Sequence, residues 1–431
     1  MLNTGNHHRV TQHMPIEKKI LLIAYHFPPV RVSSGLQRTL SLAKYLKENY
    51  WLPSVLSISP SAYEAVSPDQ LRDIPDYVEV VRAKGWNTEK LFSKLGGYPS
   101  FLALPDRWVS WLFGGVLAGR KAIKQKQISI IWSTFPIATA HFIGLVLNRL
   151  TGVPWVADFR DSMVEDDYPV DEKQRRVYLW LEKKVIARAT KVVFTTEGTR
   201  QMYIERYPGI EPTRFAVIPN GYDEEAFKKA EQLVSKDQQK CRALRLTHSG
   251  IIYPTERDPT ALFDALSELK KEGQINAGTL QIILRASVHD HVFEPMLKSR
   301  EIEDIVKLEP SVGYAEALAE MLESDALLLF QASNCNHQIP AKLYEYFRAR
   351  KPIFALTDKQ GNTADALREA GISNIVELND KSEIKQGLVL LMEQVAHGNA
   401  PIASCSIAEQ YSRRSVTKSY SKILDSVYGP T

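Results

Sequence analysis

Cysteine is scarce in this chain of 431 residues, which contains only Cys241, Cys335 and Cys405. They are far apart and form no CxxC pair, so the sequence supports neither a disulfide framework nor a structural zinc module. Glycine and proline, at 22 and 23 residues, are too few for a collagen-like or low-complexity chain. The composition predicts a globular protein of two or three packed cores in a reducing compartment.

A secretory signal is also missing, since residues 1–16 contain no apolar stretch of the required length. The longest uncharged stretch, residues 127–148, is long enough to suggest a membrane-spanning helix. However, Pro136 separates a β-branched run from a segment with helical spacing, which favours a buried strand, a turn and a buried helix. We therefore predict a cytoplasmic protein.

Charge is distributed unevenly along the chain. Residues 1–150 carry 18 Lys and Arg against 9 Asp and Glu, whereas the remainder carries 36 against 41. A basic first part predicts an anionic partner, which could be nucleic acid, lipid headgroups or a phosphorylated substrate.

Short apolar runs alternate with helical stretches from Lys18 onward, the pattern of parallel sheets covered by helices on both faces. Between the two sets of predicted strands the chain becomes polar, which marks a domain junction. We predict an α/β protein with two Rossmann-like doubly wound domains that face a central cleft. The predicted parts are a disordered tail at 1–17, a first domain at 18–225, a linker at 226–241, a second domain at 242–405 and a C-terminal helix at 406–431 that packs back toward the first domain.

The loop after the first predicted strand ends in Ser34 and Gly35 at a helix start. Backbone N–H groups there attract anions, and a glycine permits close approach of a phosphate. The loop contains no GxGxxG motif, which weakens a dinucleotide-dehydrogenase interpretation. The alternative is an ordinary capping serine with a turn glycine.

A second candidate site lies in NHQIPAKLYEYFRARKPI, where Pro340 fits the first turn of a helix. Lys342 and Glu345 would then share one face near its start, where an ammonium can bind pyrophosphate and a carboxylate can accept ribose hydroxyls. The alternative is a surface ion pair between the two side chains.

Together with GVPWVADFRDS, FAVIPNGYD and THSGIIYPTERDPTALFDAL, these segments resemble the retaining glycosyltransferases of family 4 (group 1), which have the GT-B fold. The resemblance extends from Lys19 to Tyr428. It implies transfer of a sugar from a nucleotide-sugar donor to an acceptor hydroxyl, in polysaccharide or glycolipid synthesis. The expected partners are that donor and a lipid-linked or saccharide acceptor, with no nucleic acid.

The resemblance also implies roles for individual residues. The predicted donor-binding residues are Ser34, Gly35, Gly250, Arg257, His337, Lys342 and Glu345. The predicted catalytic residues are Arg160, Asp161, Arg257 and Lys342, and the predicted acceptor-side residues are His26 and Arg38.

Two positions depart from the family pattern. His337 occupies the place of a first glutamate, and Arg160 occupies that of a pocket histidine. An arginine cannot act as a general base but can stabilise negative charge. The departures keep open two alternatives, a GT-B sugar-nucleotide epimerase and a catalytically impaired sugar-nucleotide-binding subunit.

Neither a metal nor another cofactor is predicted. The acidic stretch from Asp158 to Asp167 could suggest a metal site, but its spacing fits a solvated loop in which Asp161 alone faces the cleft. By resemblance, helix dipoles and cationic side chains neutralise the leaving diphosphate.

Residues 91–126 mix basic with large apolar residues, including Trp108, Trp111, Phe113 and Leu117. This composition suits a helix at an anionic membrane surface, which would make the protein peripheral on the inner face of the membrane. The alternative places the aromatic residues in the core and leaves the lysines solvated.

Overall fold

A computed structural model describes residues 18–31, 34–93, 103–166, 168–235, 243–254 and 256–429. The predicted disordered tail, Lys94 and Asp167 lie outside these ranges. Within the described ranges, no helix is both long and apolar enough to cross a bilayer.

Strands form where the sequence has short buried runs. In chain order they are β1 (Lys18–Ile23), β2 (Trp51–Ile58), β3 (Glu79–Ala83), β4 (Ile130–Thr134), β5 (Trp155–Arg160), β6 (Lys191–Phe194), β7 (Phe215–Val217), β8 (Leu244–Ser249), β9 (Leu280–Arg285), β10 (Val306–Glu309), β11 (Ala326–Gln331), β12 (Ile353–Thr357) and β13 (Ile375–Val376). The predicted alternation of short buried runs with helices from Lys18 onward is therefore confirmed.

Helices connect the strands. In chain order they are α1 (Ser34–Tyr45), α2 (Thr88–Ser93), α3 (Trp111–Lys126), α4 (Ala138–Thr151), α5 (Glu172–Arg188), α6 (Glu197–Arg206), α7 (Glu224–Glu231), α8 (Thr260–Lys271), α9 (Asp290–Ser299), α10 (Tyr314–Glu323), α11 (Lys342–Ala349), α12 (Asn362–Glu369), α13 (Lys381–Ala396), α14 (Cys405–Gln410) and α15 (Arg413–Tyr428). The pair β4 and α4 confirms the predicted strand, turn and helix in residues 127–148.

The first sheet has the strand order β3-β2-β1-β4-β5-β6-β7, and its described pairings are parallel. Its central strands are buried, with Ile20 through Ile23 at 0% exposure. The order reverses between β1 and β4. In open sheets of this kind ligands bind outside the carboxyl ends of the strands at such a reversal.

The second sheet has the order β10-β9-β8-β11-β12-β13, again with parallel pairings. One apolar core contains Leu262 and Ile282, and another contains Phe227 and Tyr346. The order reverses between β8 and β11, so the carboxyl ends of these two strands are the expected ligand edge.

By contact density the chain divides into two compact units. Of the described residues, the first contains those up to Asp158, those of Met163–Lys191 and those from Ser421 onward, and the second contains those of Phe159–Ser162 and Val192–Tyr420. In the first unit, Asp425 Oδ1 on α15 accepts hydrogen bonds from Lys18 Nζ at 2.8 Å and from Trp51 Nε1 at 3.0 Å.

Helix α7 was not predicted, because its sequence EEAFKKAE reads as a polar linker. The Asp223 carboxylate caps it by accepting from the Glu225 N–H at 2.9 Å. Phe227 and Ala230, three positions apart, are both 0% exposed. The helix extends from the end of the predicted first domain into the predicted linker, and its cap, these buried residues and the ion pairs of Arg348 with Glu224 and Glu231 hold it in place.

Helix α3 begins at Trp111, and it packs through glycines. A Cβ at Gly115 would lie 2.5 Å from Ile143 Cδ1, and one at Gly119 would lie 2.6 Å from Leu147 Cδ1. Trp108 and Trp111 are buried, at 9% and 0% exposure. The expectation that these tryptophans contribute to a membrane surface is therefore wrong, because they belong to the core.

Candidate functional site

The carboxyl end of β8 and the start of α11 form a polar cluster in the second unit. β8 runs into Ser249 and Gly250, and α11 begins at Lys342, following the carboxyl end of β11. This is the edge at which the strand order reverses, so the topology brings Gly250 and Lys342, two of the predicted donor-binding residues, to the edge where ligands are expected.

Lys342 extends its amine toward the end of β8. Its Nζ lies 3.1 Å from Nε2 of His248. A Cβ at Gly250 would lie only 2.7 Å from the same Nζ. Gly250 also has a φ of +127°, a backbone conformation that favours glycine. A side chain at this position would therefore displace the lysine amine.

The charge environment of Lys342 is unusual for a lysine. Burial, and next the positive charge of Arg257, lower its pKa to about 7, while the Glu345 carboxylate opposes the shift. Among the described residues, no carboxylate forms an ion pair with its amine within 4 Å. Two cationic groups thus lie near each other with little compensating negative charge, which is the condition under which an anion binds well.

Arg257 is held by the loop after β8. Its Nη1 donates to the Ile251 carbonyl at 2.6 Å, and its guanidinium carbon lies 5.4 Å from the ring centre of Tyr253. These contacts keep the guanidinium beside the segment that contains Gly250.

Glu345 lies one turn after Lys342 and is oriented by a tyrosine. Tyr314, the first residue of α10, donates its hydroxyl hydrogen to Glu345 Oε1 at 2.6 Å. Burial raises the pKa of Glu345, and the Tyr314 hydrogen bond opposes that rise. Neither Lys342 nor Glu345 forms the surface ion pair that was the alternative interpretation of this motif, since each bonds to another residue.

The first unit has a different polar cluster at its own strand-order reversal. Arg38 of α1 donates to both oxygens of Asp158, with Nε 2.8 Å from Oδ2 and Nη2 3.0 Å from Oδ1. Thr134 Oγ1 donates to the same carboxylate at 3.1 Å. Asp158 is 0% and Arg38 9% exposed, so two guanidinium N–H groups of this predicted acceptor-side residue are engaged in a buried ion pair.

Arg160 ends β5 in the left-handed backbone region, with a φ of +64°. Its carbonyl accepts from the backbone N–H and the hydroxyl of Thr195, both at 2.9 Å. Asp161 Oδ1 accepts from the same hydroxyl at 3.3 Å. A non-glycine residue in this region is strained, and such strain tends to occur at functional sites.

The remaining predicted site residues occupy loops and helix starts. Ser34 and Gly35 begin α1 as expected. The ring of His26 lies 4.9 Å from that of Tyr25. The carbonyl of His337 accepts from the hydroxyls of Thr196 and Thr199, so in these contacts it is the backbone of His337 that binds.

No grouping of three or more His, Cys, Asp or Glu side chains suited to a metal occurs in the described ranges. In the acidic stretch, Asp158 is paired with Arg38 and Asp161 accepts from Thr195. The absence of a metal from the mechanism therefore stays a prediction.

Sequence reasoning did not single out His248 or Tyr314. His248 precedes Ser249 and Gly250 at a strand end, which is the signal that could have identified it. Tyr314 is 31 positions from Glu345, and no local pattern connects them.

Comparison with known proteins adds independent information. Residues 36–221 match the profile of the glycosyl transferase 4-like domain family. No curated protein sequence matches the chain.

Solved structures match over nearly the whole chain. HepE of Anabaena, in complex with UDP, superposes with a TM-score of 0.66 at 16% identity, over 95% of this chain and 100% of that one. A glycosyltransferase of Rickettsia africae gives a TM-score of 0.67 at 14% identity, over 96% and 100%. WaaG, a glycosyltransferase involved in lipopolysaccharide biosynthesis, gives 0.59 at 13% identity, over 96% and 100%. The predicted fold and the resemblance to GT-B glycosyltransferases are confirmed.

Proposed function

We propose that this chain, which has the fold of GT-B glycosyltransferases and whose residues 36–221 match the profile of the glycosyl transferase 4-like domain family, is a glycosyltransferase that uses a nucleotide-sugar donor and retains the anomeric configuration. The donor nucleotide binds to the second unit at the start of α11. The observation that carries this proposal is the arrangement of Lys342 and Arg257, two cationic side chains whose charges act on each other, with no carboxylate of the described residues within 4 Å of the lysine amine.

The diphosphate of the donor would supply the negative charge that Lys342 and Arg257 lack. Bringing an anion beside Lys342 favours its charged form and offsets the desolvation that lowers its pKa. The missing side chain at Gly250 leaves the space that the Lys342 amine occupies, so a phosphate that binds the amine also lies close to the backbone of this loop. The same two side chains stabilise the diphosphate as it leaves, when its negative charge increases.

The ribose of the donor fits Glu345. A carboxylate can accept hydrogen bonds from both ribose hydroxyls, and bonds to a charged acceptor are stronger than neutral ones. Tyr314 uses one lone pair of Oε1 and leaves others free, so it orients the carboxylate without occupying all its acceptor sites.

The remaining catalytic and acceptor-side assignments extend this proposal. Arg160, with its strained backbone, stabilises negative charge on the phosphate or the acceptor. Ser34 and Gly35, at the start of α1, present backbone N–H groups to a phosphate. Asp161 and His26 are assigned to the catalytic and acceptor sides. The cationic groups supply the charge stabilisation, so the reaction proceeds without a metal.

UDP is the first nucleotide to test, since HepE was solved with UDP and with UDP-glucose. Purified protein is titrated with UDP and GDP, then incubated with radiolabelled UDP- and GDP-sugars and candidate saccharide and lipid-linked acceptors. The proposal expects label transfer with nucleotide release, and transfer that survives EDTA. An isomerised sugar without transfer would indicate an epimerase, and binding without turnover an impaired subunit. Activity lost in EDTA and restored by Mg²⁺ or Mn²⁺ would contradict metal independence.

The acceptor is proposed to be lipid-linked, at an anionic membrane that binds one face of α3. Phe113 and Leu117 are 75% and 73% exposed on this helix, and Arg120, Lys121 and Lys124 are exposed on the same face. Lys126 pairs with Glu79, so it is already partly neutralised. A helix face that combines exposed apolar side chains with basic side chains can insert the former into the membrane interface and bind anionic headgroups with the latter.

Liposome co-sedimentation tests the membrane proposal. Lys121→Glu with Lys124→Glu should abolish binding to vesicles of anionic lipid at low salt, because each basic residue near such a surface contributes about 1 kcal/mol. Lys183→Glu with Lys184→Glu, the same charge change on exposed positions of α5, is the matched control. Equal pelleting of both variants, or of anionic and neutral vesicles, would contradict the proposal and favour a soluble acceptor.

A further inference from the structure

His248 is a fully buried imidazole whose two ring nitrogens both have partners. It lies near the end of β8 at 0% exposure, with its ring centre 5.0 Å from that of Phe330. Nδ1 is 2.9 Å from the carbonyl oxygen of Leu328 on β11, and Nε2 is 3.1 Å from Nζ of Lys342. The ring thus connects the two central strands of the sheet to the lysine at the start of α11.

The partners determine which nitrogen carries the hydrogen. A carbonyl oxygen only accepts, so Nδ1 is protonated and donates to Leu328. Nε2 then has a free lone pair, which accepts a hydrogen from Lys342. Burial, and next the positive charge of Lys342, hold the pKa of His248 well below its usual range. The ring is therefore neutral and acts as an acceptor toward the lysine.

We propose that His248 is a positioning residue that fixes the Lys342 amine above Gly250 for contact with the donor diphosphate. The inference rests on the proposed function of this site. The Nε2 lone pair directs one N–H bond of the amine, while the missing side chain at Gly250 leaves the space that the amine occupies. A lysine side chain has several rotatable bonds, so a fixed acceptor at its end reduces the freedom that substrate binding would otherwise have to remove.

The charged and titratable groups that face the Lys342 amine come from several elements. They are His248 on β8, Arg257 in the following loop and Glu345 on α11, with Tyr314 of α10 acting through Glu345. Because these groups leave the pKa of Lys342 at about 7, a bound diphosphate would raise it and cause proton uptake. Nucleotide affinity should then fall as the pH rises through 7.

Two substitutions separate a positioning role from a purely structural one. His248→Gln retains an acceptor near the Nε2 position, whereas His248→Asn retains a donor near Nδ1 for the Leu328 carbonyl but has no atom that reaches Lys342. We expect the Asn variant to lose roughly 10- to 100-fold in kcat, the size expected for a lost hydrogen bond to a charged group. The Gln variant should recover most of that loss and keep the wild-type pH dependence of UDP affinity.

A double-mutant cycle with Lys342→Met tests the contact without any nucleotide. His248→Asn and Lys342→Met should be coupled by roughly fivefold or more in the unfolding equilibrium constant, as expected for residues in contact. If the Asn variant equals or exceeds the Gln variant in kcat, or if the cycle shows no coupling, the proposal is overturned. Failure of the proposed function is measured separately, as wild-type protein that neither binds UDP nor transfers sugar from any nucleotide sugar while the coupling persists.

Discussion

The two polar clusters at the strand-order reversals differ in how their charge is balanced. In the first unit, the guanidinium of Arg38 and the carboxylate of Asp158 neutralise each other in a buried two-bond pair. In the second, the amine of Lys342 bonds to a neutral histidine and has Arg257 nearby. A charge that is neutralised within the fold serves the fold, whereas one held by a neutral acceptor is available to a ligand.

The largest effect is expected at the buried ion pair between Arg38 and Asp158 in the first unit. Asp158→Asn removes the counter-charge of Arg38 at a buried position, so the free energy of unfolding should fall by about 3–5 kcal/mol. Equilibrium unfolding in denaturant measures the change. The control is Asp365→Asn, which breaks an exposed pair with Arg368 at 3.1 Å and should cost less than about 1 kcal/mol. If both variants lost the same free energy of unfolding, the buried pair would not contribute more to stability than the exposed one, which would contradict the prediction.

In the second cluster, where the charge of Lys342 is not neutralised by an ion pair among the described residues, a substitution should affect activity more than stability. Lys342→Met should lower kcat by roughly 10²- to 10³-fold, because the leaving diphosphate loses a stabilising charge. Its free energy of unfolding should stay equal or rise, since a desolvated amine is replaced by an apolar side chain. Lys271→Met, at an exposed position on α8, should change neither quantity. A stable variant with near-normal turnover would show that the diphosphate is stabilised elsewhere.

The next prediction tests whether the Glu345 carboxylate of the second cluster binds the ribose of the nucleotide, as proposed. Glu345→Gln should weaken UDP binding by about 1.5–3 kcal/mol, the contribution of hydrogen bonds to a charged group. Calorimetric titration of UDP measures this, with Glu393→Gln on the exposed face of α13 as the control. Unchanged affinity in the Glu345 variant would mean that the carboxylate does not contact the nucleotide.

The smallest expected effect is a pH dependence of stability that only the second cluster should produce. The pKa of Lys342 is about 7 in the folded protein against a usual value of 10.5. The unfolded chain therefore binds more protons between these values, and the stability of the wild type should rise with pH in that window. Relative to Lys342→Met, we expect a gain of about 1–2 kcal/mol between pH 7 and 9. A constant difference between the two proteins would contradict the lowered pKa.

The fold was predictable because its strands are continuous apolar runs. β1 and β11, for example, are almost wholly buried, and burial on both faces leaves an apolar run that is visible in the sequence. Helix α7 was missed for the converse reason, since Phe227 and Ala230 are the buried residues of an otherwise charged segment. Its stability comes from packing in the folded unit, which local composition does not reveal.

The candidate site was predictable only where its residues are neighbours in the chain. Lys342 and Glu345 share one helical turn, and Gly250 and Arg257 share one loop. His248 and Tyr314 were missed because their contacts, to Lys342 and Glu345, join residues 94 and 31 positions apart. A single histidine in a buried strand gives no sign in the sequence of which residue it bonds.

The two faces of α3 have different consequences for how this protein can diverge over evolutionary time. Gly115 and Gly119 leave no room for a Cβ against Ile143 and Leu147, so selection for folding should hold these two positions nearly invariant. Phe113 and Leu117 on the opposite face contribute little buried area, so selection for folding alone does not constrain them. A lineage could therefore change the side chains that this helix exposes, and with them the surfaces that the helix could bind, while the helix stays in place.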